Sequence, residues 1–231
     1  MADTTGGARR PLKSRNTAWA AGLSAWLVRR RVRPNVISLA SVGFAAIAGL
    51  ALLATFWSCT GFGTTALFLA AAAGIQLRLL CNLMDGMVAV EGGMGGPLGN
   101  LYNDLPDRFA DVFILLGAGY AVRDWECGAL DGATLGWLAA LAAVLTAYVR
   151  VLGAQAGAQQ HFLGPMAKPH RMALMTLACL LGAGERWLVW PPRVLAVGLG
   201  LVIVGCAITI VRRLVRIAGD LRAPKAASAA R

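Results

Sequence analysis

Six apolar runs, each close to the length that crosses a bilayer, follow one another between Asn35 and Val215. They read as helices at Asn35–Phe56, Thr64–Val88, Leu98–Ala121, Gly132–Leu152, Met172–Leu188 and Val194–Val215. Composition agrees. Of 231 residues 58% are hydrophobic and 14% charged, against roughly 25% charged in soluble domains. An ordinary soluble domain and a disordered tail protein are both excluded. The expected fold class is all-α: a polytopic membrane protein with six transmembrane helices and an N-terminal interfacial amphipathic helix. Residues 1–15 form a flexible tail, 16–33 the interfacial helix, 34–216 the six-helix domain and 217–231 a basic C-terminal tail.

An even number of spans puts both termini on one side, and Lys and Arg decide which. Arg9, Arg10, Lys13, Arg15, Arg29, Arg30, Arg31 and Arg33 precede the first span. Arg212, Arg213, Arg216, Arg222, Lys225 and Arg231 follow the last run, and Arg150, Lys168 and Arg171 flank the loop between spans four and five. The opposite loops hold Arg123, Arg186 and Arg193. Both ends are therefore expected in the cytoplasm, in an inner or plasma membrane. The net charge of +11 then reflects topology and anionic-lipid attraction, with no nucleic-acid partner required.

No cleavable signal peptide is expected, since the first long apolar run is span-sized. Before it, Trp19, Leu23, Trp26 and Leu27 share one helical face and Arg29–Arg31 follow, which suits a helix lying in the cytoplasmic interface. Cys59, Cys81, Cys127, Cys179 and Cys206 are dispersed and odd in number, giving neither a zinc pattern nor a disulfide framework. His161 and His170 flank one loop and read as solvated or lipid-facing side chains.

Ionisable residues inside spans mark function by default. Of 11 acidic residues, Asp85, Glu91, Asp104, Asp107 and Asp111 crowd around a single Gly-rich turn, Glu91-Gly-Gly-Met-Gly-Gly-Pro97. On the second span Asn82, Asp85, Gly86 and Ala89 form one helical stripe; on the third, Gly99, Asn103, Asp107 and Asp111 form another. Two neighbouring helices joined by this turn are expected to set the stripes face to face at the cytoplasmic boundary. Carboxylates brought so close repel unless a cation neutralises them. Oxygen ligands without Cys or His favour Mg²⁺, Mn²⁺ or Ca²⁺ over zinc. Arg78, deep in the second span, pairs internally or snorkels, and Arg108 has Asp104 and Asp111 within one turn as partners.

The run Asn82-Leu-Met-Asp85-Gly86-Met-Val-Ala89-Val90, followed by Gly99, Asn103 and Asp107, resembles the signature of the CDP-alcohol phosphotransferase (CDP-alcohol phosphatidyltransferase) family, D-x2-D-G-x2-A-R-x8-G-x3-D-x3-D. The spacing is kept without a gap. Asp85, Gly86, Ala89, Gly99 and Asp107 agree with it, while Asn82, Val90 and Asn103 replace an aspartate, the arginine and a second aspartate. Arg33-Pro34-Asn35-Val-Ile-Ser38 resembles the opening of the family's first span. Asp107-Arg108-Phe-Ala-Asp111 is similar to the matching segment of bacterial phosphatidylinositol-phosphate synthases, and Gly164-Pro-Met-Ala-Lys168-Pro-His-Arg171 to a basic stretch opening the fifth span. The resemblance spans residues 20–215.

It implies transfer of the phosphoryl-alcohol part of a CDP-alcohol, such as CDP-diacylglycerol, to a hydroxyl acceptor with release of CMP, as in phospholipid biosynthesis. It also implies Mg²⁺ or Mn²⁺, as two ions. Asn82, Asp85, Asn103, Asp107 and Asp111 are the implied metal positions, and Asp107 is the implied base. Asn35, Ser38, Gly86, Ala89 and Gly99 would meet the CDP moiety. Arg108, Arg150, Lys168 and Arg171 would line an anionic acceptor site. In a second register, shifted by one turn, Asp107 is the third ligand and Asp111 the base. The two asparagines remove charge from the site. A scaffold of the same fold without activity, and a small ion-binding or transport protein, are the competing functions, and a homodimer is compatible with either architecture.

Overall fold

A computed structural model describes residues 17–58, 60–94, 99–128, 130–185 and 193–222. Seven helices carry them: α1 (Ala18–Arg29), α2 (Pro34–Thr55), α3 (Gly61–Glu91), α4 (Gly99–Ala121), α5 (Gly132–Gln155), α6 (Lys168–Glu185) and α7 (Val194–Arg222). Strands β1 (Glu126–Cys127) and β2 (Leu130–Asp131) pair antiparallel in the connection from α4 to α5. The expectation of a purely helical chain is corrected by this hairpin alone among the described residues. Helix α7 also runs to Arg222, through the start of the region expected to be a tail, and α6 begins four residues before Met172, at Lys168.

Among the described residues four helices, α2, α3, α5 and α7, are long and apolar enough to cross a membrane. The two others expected to span carry concentrated charge: α4 holds Asp104, Asp107, Arg108 and Asp111, and α6 holds Lys168, Arg171 and Glu185.

Helices α2 to α7 pack as a closed ring in the order α2, α3, α6, α7, α5, α4 and back to α2. Its core is Leu52, Ile75, Ile114, Leu115, Met172, Met175, Leu199 and Val202, filled in by many alanines. Small residues let the backbones close. A Cβ at Gly117 would overlap the backbone of Gly49, which sets α4 directly against α2. Helices α3 and α4, although joined by the Gly-rich turn, make only slight contact, and α2 packs against both. The expected side-by-side pairing of the second and third spans is thereby corrected. Their polar stripes meet instead across the inside of the ring.

Helix α1 lies on α3, where Ala20 joins Ile37, Leu83, Met84, Met87 and Val88, flanked by Leu23 and Leu27. Trp19 and Trp26 stay 55% and 46% exposed, so the face read from the sequence divides. Residues 19 and 26 fall at one edge of a 100° arc and residues 23 and 27 towards the other. Arg31 (φ 54) turns the chain out of α1, with Val32 N–H donating to Leu27 O at 3.1 Å. Pro34 then opens α2, where its missing N–H costs nothing.

Candidate active site

Helix α3 continues unbroken to Glu91 and carries Arg78, Asn82, Asp85 and Ala89 at intervals of three and four residues, hence on one face. Asp85 is buried, and its Oδ2 accepts a hydrogen bond from Ser38 Oγ of α2 at 2.7 Å. Asn82 is half-buried one turn earlier. Arg78 is 0% exposed, among the largest fully buried side chains of the protein.

Across the ring, Asp107 and Asp111 lie on the inner face of α4. Arg78 Nη2 stands 2.7 Å from Asp111 Oδ1 and 3.7 Å from Asp107 Oδ1, and donates to the Asp107 carbonyl at 3.4 Å. Helix α6 supplies two more cations: Lys168 Nζ contacts Asp107 Oδ2, and Arg171 Nη2 contacts Asp111 Oδ2. Arg171 Nη1 also donates to Met166 O at 3.1 Å. Three helices thus share one buried charge cluster. Such an arrangement is stable only if every charge is matched.

The loop before α6 is tied to α7, which fixes Lys168 and Arg171. Met166 N–H donates to Thr209 Oγ1 at 3.1 Å, Arg213 Nε to Leu163 O at 3.1 Å, and Gln159 N–H to Asp220 Oδ2 at 3.0 Å. His161 joins this tether, with Nε2 2.7 Å from Asp220 Oδ2, rather than standing solvated as expected. His170 is exposed.

The four expected acceptor-binding cations fall into two groups. Lys168 and Arg171 hold Asp107 and Asp111. Arg108 and Arg150 gather on Asp104: Arg150 Nη2 donates to both its oxygens at 2.9 and 3.1 Å, and Arg108 Nε to its carbonyl at 3.1 Å. Of the expected CDP-contacting residues, Ser38 is buried on Asp85, Gly86 and Ala89 are half-buried beside it, and Asn35 and Gly99 are exposed. Glu91 is exposed at the end of α3. The side chain of Asn103, on the first turns of α4, and the Pro97 end of the Gly-rich turn lie outside the described residues. So does Cys59, whereas Cys81, Cys127, Cys179 and Cys206 are free thiols.

Seven buried side-chain polar atoms among the described residues have no hydrogen-bond partner, and six belong to this cluster: Arg78 Nε and Nη1, Asn82 Nδ2, Asp85 Oδ1, Asp107 Oδ1 and Arg171 Nε. Buried polar groups are ordinarily satisfied, so their concentration at one place marks a site built for something further. The set contains two carboxylate oxygens and several N–H donors, which fits a cation together with an anion. The fit to a divalent cation rests on Asp85 and Asp107. Both oxygens of Asp111 are engaged by arginine. Among the described residues no group of three or more His, Cys, Asp or Glu is placed to hold a metal.

No family model matches the sequence. The chain is 25% identical over 166 residues to the inner membrane protein YnbA of Escherichia coli, covering 71% of this chain and 76% of that protein. Its structural neighbours are crystal structures of the phosphatidylinositol phosphate synthase PgsA1 of Mycobacterium tuberculosis. The one with CDP-DAG bound superimposes with a TM-score of 0.66 at 21% identity, over 87% of this chain and 94% of that one. The fold is that of a CDP-alcohol phosphotransferase. The PgsA1 structure in complex with manganese and citrate gives a TM-score of 0.66 at 19% identity, over 86% and 88% of the two chains. The apo form gives 0.61 at 23%, over 85% and 94%. The fold agrees with the one that the motif resemblance implies.

Arg78 is the residue that sequence reasoning left unassigned. Its signal was present: it lies four and seven residues before Asn82 and Asp85, on the same stripe.

Proposed function

We propose that this chain is a membrane-embedded, metal-dependent CDP-alcohol phosphatidyltransferase of phospholipid synthesis. It moves the phosphatidyl group of CDP-diacylglycerol or a related CDP-alcohol to a hydroxyl acceptor and releases CMP. The observation that carries this reading is the collection of buried donors and acceptors without hydrogen-bond partners on three signature residues, Asn82, Asp85 and Asp107, and on the arginines Arg78 and Arg171 of the same cluster. The Mycobacterium enzyme of the same fold, crystallised with CDP-DAG and with manganese, supports it.

Asp85 and Asp107, with the Asn82 amide beside them, would hold Mg²⁺ or Mn²⁺, which when bound neutralises pyrophosphate charge. Ser38 orients the Asp85 carboxylate, leaving Oδ1 free. Gly86 and Ala89 keep the α3 surface low beside it for the nucleotide, and among the described residues no atom lies within 4 Å of where a Cβ on Gly99 would stand. Asn35 completes the nucleotide side.

Asp107 takes the proton of the acceptor hydroxyl as that oxygen bonds to the phosphatidyl phosphorus. The bond from phosphorus to the bridging oxygen breaks, and CMP leaves with that oxygen. Asp111 serves poorly as base, since both its oxygens accept hydrogen bonds from arginine, whereas Asp107 Oδ1 accepts none. The gap-free register is favoured for that reason. Arg108 and Arg150 at the more open rim, with Lys168 and Arg171 deeper, attract an anionic acceptor.

In this reading all six helices α2 to α7 span the membrane, both termini are cytoplasmic, α1 lies in the interface and the site opens to the cytoplasm. The relative YnbA, an inner membrane protein, supports that location. A second reading, a scaffold without activity, is favoured by the placement of Lys168 and Arg78 on the Asp107 carboxylate. Purified chain in nanodiscs, given CDP-diacylglycerol and a panel of hydroxyl acceptors, separates the two. CMP release that needs both an acceptor and Mg²⁺ or Mn²⁺ supports the transferase. Absence of CMP with every acceptor supports the scaffold.

A further inference from the structure

We infer that the site takes one divalent cation, not the pair the resemblance implies, and that Arg78 is a fixed positive charge standing in for the second. This rests on the transferase reading.

Asp107 and Asp111 are ion-paired with three cations, Arg78, Lys168 and Arg171, and Asp85, held by Ser38, lies within electrostatic reach of Lys168 and Asp107 and supplies the third carboxylate. The cluster is charge-balanced before any metal enters. Two divalent ions would add four positive charges beside three buried cations, which like-charge repulsion in a weakly screened interior opposes. Ligand supply leads to the same conclusion. Among the described residues only Asp85 Oδ1 and Asp107 Oδ1 are buried carboxylate oxygens without a hydrogen-bond partner, and Arg78 stands 3.7 Å from the second. Two carboxylates with substrate phosphates and water suffice for one Mg²⁺. A bridged pair needs more, and the positions that would supply it hold Asn82 and Asn103.

Arg78 fills the gap. One Nη2 reaches both α4 aspartates, while Nε and Nη1 are buried and unpartnered. Those N–H groups suit a phosphate oxygen, which a guanidinium recognises by charge-assisted hydrogen bonds. Arg78 is thus a positioning residue for Asp107 and Asp111 and a charge partner for the substrate phosphates.

The test counts Mn²⁺. Full-length chain in nanodiscs of zwitterionic lipid, with and without CDP-diacylglycerol, is titrated while the spin-resonance signal reports free Mn²⁺. One bound ion per chain is expected, and two would overturn the inference. Arg78→Gln keeps much of the side-chain length, removes the charge and frees Asp111 Oδ1, so its count should rise to two. A folded Arg78→Gln that still binds one ion would overturn the role given to Arg78. If that variant does not fold, Asp111→Asn decides: one ion should remain bound, and its loss would contradict the inference. CMP release is followed in parallel. Two ions with CMP release would sink the one-ion site and leave the transferase standing, whereas no ion and no CMP would sink both.

Discussion

Arg78 of α3 and Asp111 of α4 form a fully buried ion pair at 2.7 Å, 33 residues apart in sequence, on two helices that otherwise scarcely touch. The pair joins the two halves of the signature across the inside of the ring. Arg171 closes it from α6.

Removing Arg78 therefore unbalances the cluster. Arg78→Leu leaves Asp111 with Arg171 alone and Asp107 with Lys168 alone. Breaking a buried pair by deleting one partner costs ~3–5 kcal/mol. Thermal unfolding in detergent should show a large drop for Arg78→Leu, and an unchanged midpoint would mean that the pair contributes nothing to stability.

Ser38 is a smaller lever on the same site. Ser38→Ala deletes the 2.7 Å bond to Asp85, a hydrogen bond to a charged group worth ~1.5–3 kcal/mol. Ser38→Thr retains the hydroxyl. Weaker Mn²⁺ binding in the alanine variant, restored in the threonine variant, is the expected pattern; equal affinities in all three would remove Ser38 from the site.

The closeness of α2 and α4 depends on glycine. A side chain at Gly117 meets the Gly49 backbone, and backbone cannot swing aside as a flexible side chain can. Gly117→Leu should destabilise by at least the ~1–3 kcal/mol typical of overpacking. The same change at Gly200, where no atom lies within 4 Å of a Cβ, should leave the melting temperature nearly unaltered.

Asn82→Asp adds a negative charge beside Asp85. Unit charges about 4 Å apart interact by ~4 kcal/mol under moderate screening, so even a fraction of that should tighten Mn²⁺ on the order of tenfold. Asn103→Asp should share the effect under the gap-free register. An Asn103 variant that binds as the parent does, with loss of binding in Asp111→Ala, would favour the shifted register instead.

Much of this architecture is legible because lipid-sized apolar runs leave a helix few alternatives. All six expected spans begin or end within a few residues of α2 to α7. Helix packing order is another matter. Adjacency in sequence argued for α3 against α4, yet the glycine contact between Gly49 and Gly117 draws α2 onto α4. Both stripes of the signature were visible as periodic polar residues, whereas their counter-charges were not. Lys168 and Arg171 obey the positive-inside pattern so well that topology alone accounts for them, and only the structure sets them on Asp107 and Asp111. Arg78 is legible as a member of the stripe, but its partners are not: no acidic residue stands within one turn of it on its own helix. The hairpin at Glu126–Asp131 was invisible because two-residue strands leave no alternation to read.

The most direct measurement is of the lipid product. Mass spectrometry on reactions of the nanodisc-embedded chain with CDP-diacylglycerol and an accepted alcohol should detect the phosphatidylated alcohol in amounts equal to the CMP released. Asp107→Asn, which keeps the shape and removes the base, should lower both by several orders of magnitude together. CMP without the lipid product, or full product formation by Asp107→Asn, would contradict the transferase assignment built on Asp107.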